Sequence, residues 1–243
     1  MAQDARQLVF ICGGKGTRLR GSSASGLPKS LTEVDGDPIV TRLVKNSLHL
    51  HTSASPPVFI VAQGDELTPA VIRDLLGSKA VIVAQPSPDG VANAILLALP
   101  HLTAQALVFL GDIVLKGEFS HPLPTESAVC IWKEAPGAAI AENFGVVAEN
   151  GTVVSMVEKP ATAQGLLCGI GVYALTPALI AQFANSPINP VKGEREITEA
   201  LKYTRGLGYP LRTFEFSGVY VNINRLSDKS QAEELLKGPA RRI

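Results

Sequence analysis

The sequence has few cysteines, and their spacing does not suggest pairing. Its 243 residues include three cysteines, Cys12, Cys130 and Cys168, and none of them lies in a CxxC pair. An odd number of cysteines without framework spacing argues against a disulfide scaffold and against a zinc site. We therefore expect buried thiols in a reducing compartment.

The sequence also lacks an excess of charge and a long apolar run. Lysine and arginine number 22, as do aspartate and glutamate, so the formal net charge is +0 at pH 7. Such a chain is not expected to bind nucleic acid, although a local cluster of cations can hold one phosphate group. The first apolar run, residues 8–12, stops at Gly13. It is too short for a signal peptide or for the about 20 residues of a membrane span, so we expect no membrane partner and a cytoplasmic location.

What the sequence does contain is enough apolar surface for a folded core. Hydrophobic residues make up 46% and charged residues 18%, which excludes a chain disordered by low hydrophobicity. In the first half, short apolar runs alternate with helical patterns. The runs are 8–12, 58–62, 80–84 and 106–110, and the helical patterns open at Asp37-Pro38, at Thr68-Pro69 (with Gly77 as its stop) and at Val91. This alternation predicts right-handed crossovers and a mainly parallel sheet.

The second half of the chain has a different pattern, with strands that follow one another directly. Strands are predicted at 128–132, 144–148, 153–158, 167–175 and 211–216, and helices at 176–183, at 196–203 and from Ser227. Asn150-Gly151 is a strong hairpin signal between two of these strands. The chain has no internal repeat or obvious linker, so we expect one α/β domain over 1–243 with mixed strands added in its second half.

The first candidate motif is GGKGTRL at residues 13–19, followed by Pro28 and Lys29. Its three glycines let the backbone turn tightly and bring N–H groups close to a phosphate, while Arg18 and Lys29 add cations. The motif matches neither the Walker A spacing nor GxGxxG, because Leu19 stands where the third glycine belongs. The glycines alone fit a surface turn equally well, but the added cations and Pro28 favour a phosphate site.

Three further motifs follow predicted strands, where ligands bind in open α/β sheets. QPSPDG at 85–90 forms a rigid loop whose Gln85 side chain could contact a base edge through donors and acceptors. Asp112 follows the fourth strand and could bind Mg²⁺ together with substrate oxygens. Glu158 and Lys159 end a later strand, and Lys159 could hold a phosphate. Taken one at a time, these motifs also fit an ordinary turn, a loop cap and an exposed charged pair.

Taken together, the motifs resemble those of the nucleoside-diphospho-sugar pyrophosphorylases (sugar-1-phosphate nucleotidyltransferases), in particular the glucose-1-phosphate thymidylyltransferase-like branch. The matching blocks are GGKGTRL…PK (13–29), QPSPDG (85–90), LGD (110–112), FGVV (144–147), EKP (158–160), GVY (171–173), GEREIT (193–198) and VNINRLSD (221–228). Each block is weak alone, but the blocks occur in family order over nearly the whole chain, which makes the set specific.

The resemblance implies a fold and a reaction. The fold is a Rossmann-like, doubly wound α/β structure with a mainly parallel, mixed central sheet and a small β/α portion added in the second half. The nucleotide-binding half covers about 1–115 and the acceptor-binding half about 116–243. The reaction is transfer of an NMP group from an NTP, with dTTP or UTP first and CTP or GTP next, to a sugar 1-phosphate with release of pyrophosphate. A homo-oligomer is compatible with the family.

The resemblance also implies residue roles. The implied catalytic residues are Arg18, Lys29, Asp112 and Lys159; the nucleotide-binding residues are Gly13, Gly14, Lys15, Gly16, Thr17, Gln85 and Gly90; the acceptor-binding residues are Gly145, Glu158, Lys159 and Gly171; and the ligands of Mg²⁺ are Asp112 and Asn222. No covalent protein intermediate is expected, since an acceptor phosphate oxygen attacks the α-phosphorus in line. Catalysis would then consist of alignment and charge neutralisation.

The chain departs from the family pattern in three places. Asn222 stands where much of the family has a second metal-binding Asp, which weakens the expected cation site and leaves a catalytically silent nucleotide-sugar-binding regulator as one alternative. Residues 21–27 are small and flexible, so that loop is expected to order on ligand binding. Cys168 and Ile170 stand where polar sugar-contacting residues are common. That apolar acceptor wall favours a second alternative, a cytidylyltransferase for a non-sugar phosphate or phosphonate.

Overall fold

The computed structural model describes residues 5–14 and 27–238. Over these residues the strands are β1 (Arg6–Ile11), β2 (Glu33–Val34), β3 (Asp37–Pro38), β4 (Val58–Ala62), β5 (Val81–Gln85), β6 (Gln105–Leu110), β7 (Ile113–Phe119), β8 (Ala128–Trp132), β9 (Phe144–Glu149), β10 (Thr152–Glu158), β11 (Leu167–Leu175) and β12 (Arg212–Asn222). The helices are α1 (Ile39–Ser47), α2 (Leu67–Leu76), α3 (Val91–Ala98), α4 (Gly137–Glu142), α5 (Pro177–Gln182), α6 (Ile197–Gly206) and α7 (Leu226–Lys237), and 3-10 turns lie at Lys29–Leu31, Leu48–Leu50, Leu99–His101 and Phe183–Asn185.

A mixed sheet forms the centre of the fold. Its strand order is β5-β4-β1-β6-β11-β8-β12-β10-β9, and β7 pairs with β12 beside this path. The strands β5, β4, β1 and β6 are parallel, whereas β11 runs antiparallel to β6 and to β8. The chain runs outward from β1 through β4 to β5 and then returns to place β6 on the other side of β1. In open α/β sheets such a reversal marks the ligand-binding edge, which here lies at the carboxyl ends of β1 and β6.

The parallel strands β1, β4 and β6 are buried on both faces, as continuous apolar runs predict, whereas the edge strand β5 is only partly buried. On one face the ring of Phe10 stacks against Phe59 at 4.7 Å and against Phe109 at 5.6 Å between centroids. On the other face Val9 and Val108 belong to a second buried cluster with helix α3. The predicted Rossmann-like α/β fold with a mixed central sheet is therefore confirmed.

The long strand β12 extends well beyond the predicted run 211–216. Its first part, Arg212–Phe216, pairs in parallel with β8, and its second part pairs antiparallel with β7. The predicted run ended at Phe216, the residue that pairs with both β8 and β7, whereas the strand continues through Gly218, whose φ is +133°. A Cβ at Gly218 would lie 2.4 Å from the carbonyl oxygen of Lys116. This extension brings Asn222 opposite Ile113, beside Asp112.

Two predicted helix caps were wrong. Asp37 lies in the short strand β3, and α1 begins only after Pro38. Thr68 lies inside the first turn of α2, where the Asp65 Oδ1 atom accepts hydrogen bonds from the N–H groups of Leu67 (3.1 Å) and Thr68 (3.0 Å). At α1 the N–H of Ile39 donates to the carbonyl oxygen of Thr32 at 3.0 Å, so a tertiary contact replaces the predicted cap, and at α2 the nearer Asp65 side chain replaces it.

Three other local predictions are confirmed. The Thr176 Oγ1 atom caps α5 by accepting a hydrogen bond from the N–H of Leu179 at 3.4 Å. Gly77 ends α2 with φ +60°. Asn150 and Gly151 form the turn between β9 and β10 with φ values of 49° and 72°.

The cysteines are unpaired and buried, and no helix in the described ranges is long and apolar enough to cross a membrane.

Candidate active site

An ion pair lies at the carboxyl edge of the parallel strands. Lys29 begins a 3-10 turn, and its Nζ atom donates to Asp112 Oδ2 at 2.7 Å and to Asn224 Oδ1 at 3.0 Å. The side chains of Lys29 and Asp112 are 12% and 28% exposed. Such a shielded pair interacts more strongly than a surface pair, because water screens it less. The structure thus brings together two of the predicted catalytic residues.

Close backbone packing fixes the position of Asp112. The N–H of Gly111 donates to the carbonyl oxygen of Ile11 at 2.8 Å. A Cβ at Gly111 would lie 2.5 Å from that same oxygen, so a glycine is required where β6 ends against β1. Asp112 therefore directly follows a backbone contact with Ile11 and Cys12, the residues that precede the glycine-rich motif.

Two side-chain oxygens beside the ion pair are buried and have no hydrogen-bond partner within the described ranges. They are Asp112 Oδ1 and Asn222 Oδ1. The N–H of Ile223 donates to the carbonyl oxygen of Asp112 at 2.8 Å, which holds the two residues side by side. A buried oxygen without a partner is costly, and carboxylate and amide oxygens are ligands that hard divalent cations take.

These residues therefore fit a divalent cation. In the described part of the chain, no group of three or more His, Cys, Asp or Glu side chains is arranged to hold a metal ion. A cation held by Asp112 and Asn222 would complete its coordination with substrate phosphates and water, as Mg²⁺ usually does.

The glycine-rich motif is only partly described. Gly13 is buried and Gly14 is exposed, whereas Lys15, Gly16, Thr17 and Arg18 lie outside the described residues. A Cβ at Gly13 would lie 2.7 Å from Gln85 Oε1. The Gln85 side chain is thus packed across the start of the motif, so the first and second predicted nucleotide-binding blocks are in contact.

The loop at 85–90 is clamped to the segment before α6. Gln85 is 5% exposed, and its Nε2 atom donates to Asp89 Oδ1 at 2.9 Å. The N–H of Arg195 donates to the carbonyl oxygen of Asp89 at 2.7 Å, and the N–H of Ala92 donates to that of Arg195 at 3.1 Å. Gly90 has φ +113°, and a Cβ there would lie 2.3 Å from the Arg195 carbonyl oxygen. The shape of this loop therefore depends on Arg195.

The predicted acceptor residues lie on the second half of the sheet. Glu158 ends β10, and its Oε2 atom accepts a hydrogen bond from Thr198 Oγ1 at 2.7 Å. Lys159 follows with φ +44°, and its side chain is exposed. The side chain of Leu166 lies over Gly145, and a Cβ at Gly171 would lie 3.0 Å from Leu110 Cγ.

Neighbouring charges shift the pKa values of two side chains in this part of the protein, Tyr173 and Glu196. Burial raises the pKa of Tyr173, and the negative charges of Glu158 and Asp112 raise it further, so both carboxylates are near this central ring. A hydrogen bond from Lys192 lowers the pKa of Glu196, with the positive charge of Lys159 acting in the same direction.

The predicted apolar acceptor wall was wrong. Cys168 is 2% exposed and Ile170 is 0% exposed, and both belong to the core cluster that covers one face of the sheet. Their strand β11 lies between β6 and β8 and is covered on both sides. These side chains do not line a surface that an acceptor could contact.

Sequence reasoning missed Asn224, which accepts a hydrogen bond from Lys29. Its backbone N–H donates to Asp228 Oδ2 at 2.7 Å, so the first turn of α7 fixes it. The available signal was its position two residues after Asn222, because Asn224 lies in the bend that follows β12 and precedes α7.

A doubly wound sheet with a lysine, a carboxylate and amide oxygens at its switch point is typical of enzymes that handle nucleoside phosphates. The family model described as nucleotidyl transferase matches residues 8–221. The chain therefore belongs to the nucleotidyl transferase family, and the resemblance to sugar-1-phosphate nucleotidyltransferases is confirmed.

Several relatives of known name align with the chain. The UTP–glucose-1-phosphate uridylyltransferase AglF of Haloferax volcanii is 27% identical over 245 aligned positions, covering 95% of this chain and 96% of that protein. The glucose-1-phosphate thymidylyltransferase of Streptomyces griseus is 26% identical, covering 94% of this chain and 65% of that protein. The bifunctional protein GlmU of Methanocaldococcus jannaschii is 27% identical, and the chain spans 46% of its length.

Solved structures show the same fold. The inositol-1-phosphate CTP transferase from T. maritima matches with a TM-score of 0.77 and 16% identity, covering 98% of this chain and 99% of that chain. A UDP-glucose pyrophosphorylase complexed with UDP-glucose matches with a TM-score of 0.73 and 19% identity, covering 95% and 97%. At these low sequence identities, the structural similarity shows that the fold is shared.

Proposed function

We propose that this protein transfers an NMP group from UTP or dTTP to a sugar 1-phosphate and releases pyrophosphate. The observation that carries the proposal is the shielded pair of Lys29 and Asp112 at the switch point of the sheet, beside two buried oxygens that have no hydrogen-bond partner among the described residues. The names of the uridylyltransferase and the thymidylyltransferase relatives support this choice of nucleotide and acceptor.

The proposed reaction needs alignment and charge neutralisation. An oxygen of the acceptor phosphate attacks the α-phosphorus, a new P–O bond forms, and the bond from the α-phosphorus to the bridging oxygen breaks as pyrophosphate leaves with the electron pair. Lys29 neutralises the reacting phosphates, and Lys159 binds the acceptor phosphate. Glu158 and the backbone at Gly145 and Gly171 contact the sugar. A bound Mg²⁺ would add charge stabilisation.

Other residues complete the proposed site. Asp112 and Asn222 would hold the metal ion. Gln85 and Gly90 contact the base, and the backbone of Gly13 and Gly14 begins the triphosphate loop. The roles of Lys15, Gly16, Thr17 and Arg18 stay predictions from the resemblance. The three buried, unpaired cysteines support a reducing, cytoplasmic location.

A substrate grid tests the proposed function. Pyrophosphate release is measured with Mg²⁺ for UTP, dTTP, CTP, GTP and ATP against a panel of sugar 1-phosphates, phosphocholine, inositol 1-phosphate and simple phosphonates. We expect the strongest signal with UTP or dTTP and a sugar 1-phosphate. A signal only with CTP and a non-sugar phosphate would contradict the proposal in favour of a cytidylyltransferase. Silence in every combination, with nucleotide binding still visible by calorimetry, would indicate a regulatory binder.

The metal site makes a separate prediction. Asn222→Asp adds a charged ligand beside Asp112, so the Mg²⁺ or Mn²⁺ concentration that gives half the maximal rate should fall on the order of tenfold. The measurement is a metal titration of pyrophosphate release at saturating substrates. Asn150→Asp, in the turn between β9 and β10, serves as the control because Asp tolerates positive φ there. If both variants titrate like the parent protein, Asn222 does not bind the metal.

A further inference from the structure

A buried tyrosine hydroxyl lies between the proposed metal ligands and the proposed acceptor site. Tyr220, on β12, is 3% exposed, and its ring packs against Trp132 with centroids 5.4 Å apart. Its hydroxyl donates to Asn143 Oδ1 at 2.9 Å. Tyr220 and Asn222 are two residues apart on the extended strand, so they lie on the same face. A buried phenol needs polar partners, and here they are Asn143, at the end of α4, and the backbone of Gly171.

Asn143 is held at both ends of its side chain. It ends helix α4 just before β9, and its Nδ2 atom donates to the carbonyl oxygen of Ala139 at 2.9 Å while Oδ1 accepts from Tyr220. Its own carbonyl oxygen accepts a hydrogen bond from the N–H of Lys159 at 3.0 Å. The Tyr220 hydroxyl is therefore two hydrogen bonds away from the backbone of Lys159.

The backbone conformation of Lys159 is unfavourable by itself and is stabilised by neighbouring hydrogen bonds. Its φ of +44° is left-handed, which disfavours a residue with a Cβ by about 1 kcal/mol or more. The preceding residue, Glu158, is fixed by Thr198. The direction in which the Lys159 side chain leaves the sheet therefore depends on whether the hydrogen bond to Asn143 holds this conformation.

We propose that Tyr220 is a positioning residue for the acceptor. Through Asn143 its hydroxyl holds Lys159 in the left-handed conformation, and so sets the ammonium group that binds the acceptor phosphate. Because β12 also carries Asn222, one strand aligns the acceptor phosphate with the metal ligands. This inference rests on the proposed function.

Removing the hydroxyl tests the inference. Tyr220→Phe keeps the ring and its packing, so the KM for the sugar 1-phosphate should rise about five- to tenfold, the worth of one hydrogen bond. The KM for the NTP should stay within twofold. Asn143→Ala should raise the acceptor KM to a similar degree, and the double variant should be no worse than the worse single one, because both changes break the same chain of bonds.

Tyr209→Phe is the matched control, since this partly buried tyrosine packs against the other core cluster. An unchanged acceptor KM in Tyr220→Phe, or an equal rise in the KM values for both substrates, would overturn the inference. Additive effects in the double variant would overturn it as well.

A second measurement does not need activity. Amide hydrogen exchange at Lys159 should be about tenfold faster in Tyr220→Phe than in the parent protein, because the bond to the Asn143 carbonyl weakens. Unchanged exchange at Lys159 would contradict the positioning role even if no substrate pair is found. A silent substrate grid with faster exchange would instead refute the proposed function and leave the contact chain supported.

Discussion

Asp112→Asn is expected to lower kcat by about 1,000-fold or more, which corresponds to about 4 kcal/mol of transition-state stabilisation. The substitution keeps the volume of the side chain, and its amide oxygen can still accept the hydrogen bond from Lys29. What it removes is the negative charge that pairs with Lys29 and would bind the metal. Pyrophosphate release at saturating substrate and metal measures the effect.

The matched control for this prediction is Asp74→Asn, an exposed carboxylate on α2 that lies outside the proposed site. It should leave kcat unchanged. Thermal unfolding of both variants separates a catalytic loss from a folding defect. If Asp112→Asn retains a tenth or more of the parent rate, Asp112 is not part of the reacting centre.

Gly90→Ala is expected to destabilise the protein by about 3 kcal/mol, which corresponds to a fall in Tm of about 6–12 °C for a chain of this length. Two causes add. The residue has φ +113°, which a side chain disfavours, and the new Cβ would meet the Arg195 backbone at 2.3 Å. Since a backbone contact can move only with its segment, relaxation should displace the loop at 85–90 and, if that loop binds the base as proposed, raise the KM for the NTP.

Variants at two other glycines distinguish the effect of the backbone angle from the effect of the steric contact. Gly64 has φ +82°, and a Cβ added there would meet no atom of the described residues within 4 Å, so Gly64→Ala should cost only the strain of the backbone angle, about 1 kcal/mol. Gly137 lies in α4 with similarly open space around it, and Gly137→Ala should be neutral or slightly stabilising. If Gly90→Ala melts at the same temperature as Gly64→Ala, the contact with Arg195 does not restrict this position.

Much of the sheet could be predicted from apolar runs. The strands at 58–62, 128–132 and 167–175 have the predicted bounds, because a strand covered on both faces is a continuous apolar run between turn residues. Strand β7 was missed because its second half, Lys116-Gly117-Glu118, is exposed and charged. Only pairing with β12 makes that segment a strand, and such pairing leaves no local pattern.

The residues of the candidate site could be predicted from the sequence, but most of the contacts between them could not. Lys29 and Asp112 are 83 positions apart, and their hydrogen bond depends on the strand order. Gly90 was assigned to the nucleotide base, whereas the steric need for a glycine comes from Arg195, a residue distant in sequence. The Tyr220 hydroxyl could not be linked to Lys159 before the hairpin of β9 and β10 was placed beside β12.

The clamp between the loop at 85–90 and Arg195 has a consequence for protein engineering. Arg195 also donates from Nε to Asn93 Oδ1 at 2.9 Å and from Nη1 to the Ser186 carbonyl oxygen. If the loop at 85–90 were replaced by the loop of an enzyme with another base preference, the new loop would therefore not be matched to the segment around Arg195. A chimera should therefore exchange 85–93 and 186–198 together, and because Thr198 in the second segment also holds Glu158, such an exchange would alter the proposed base-binding and acceptor-binding residues at the same time.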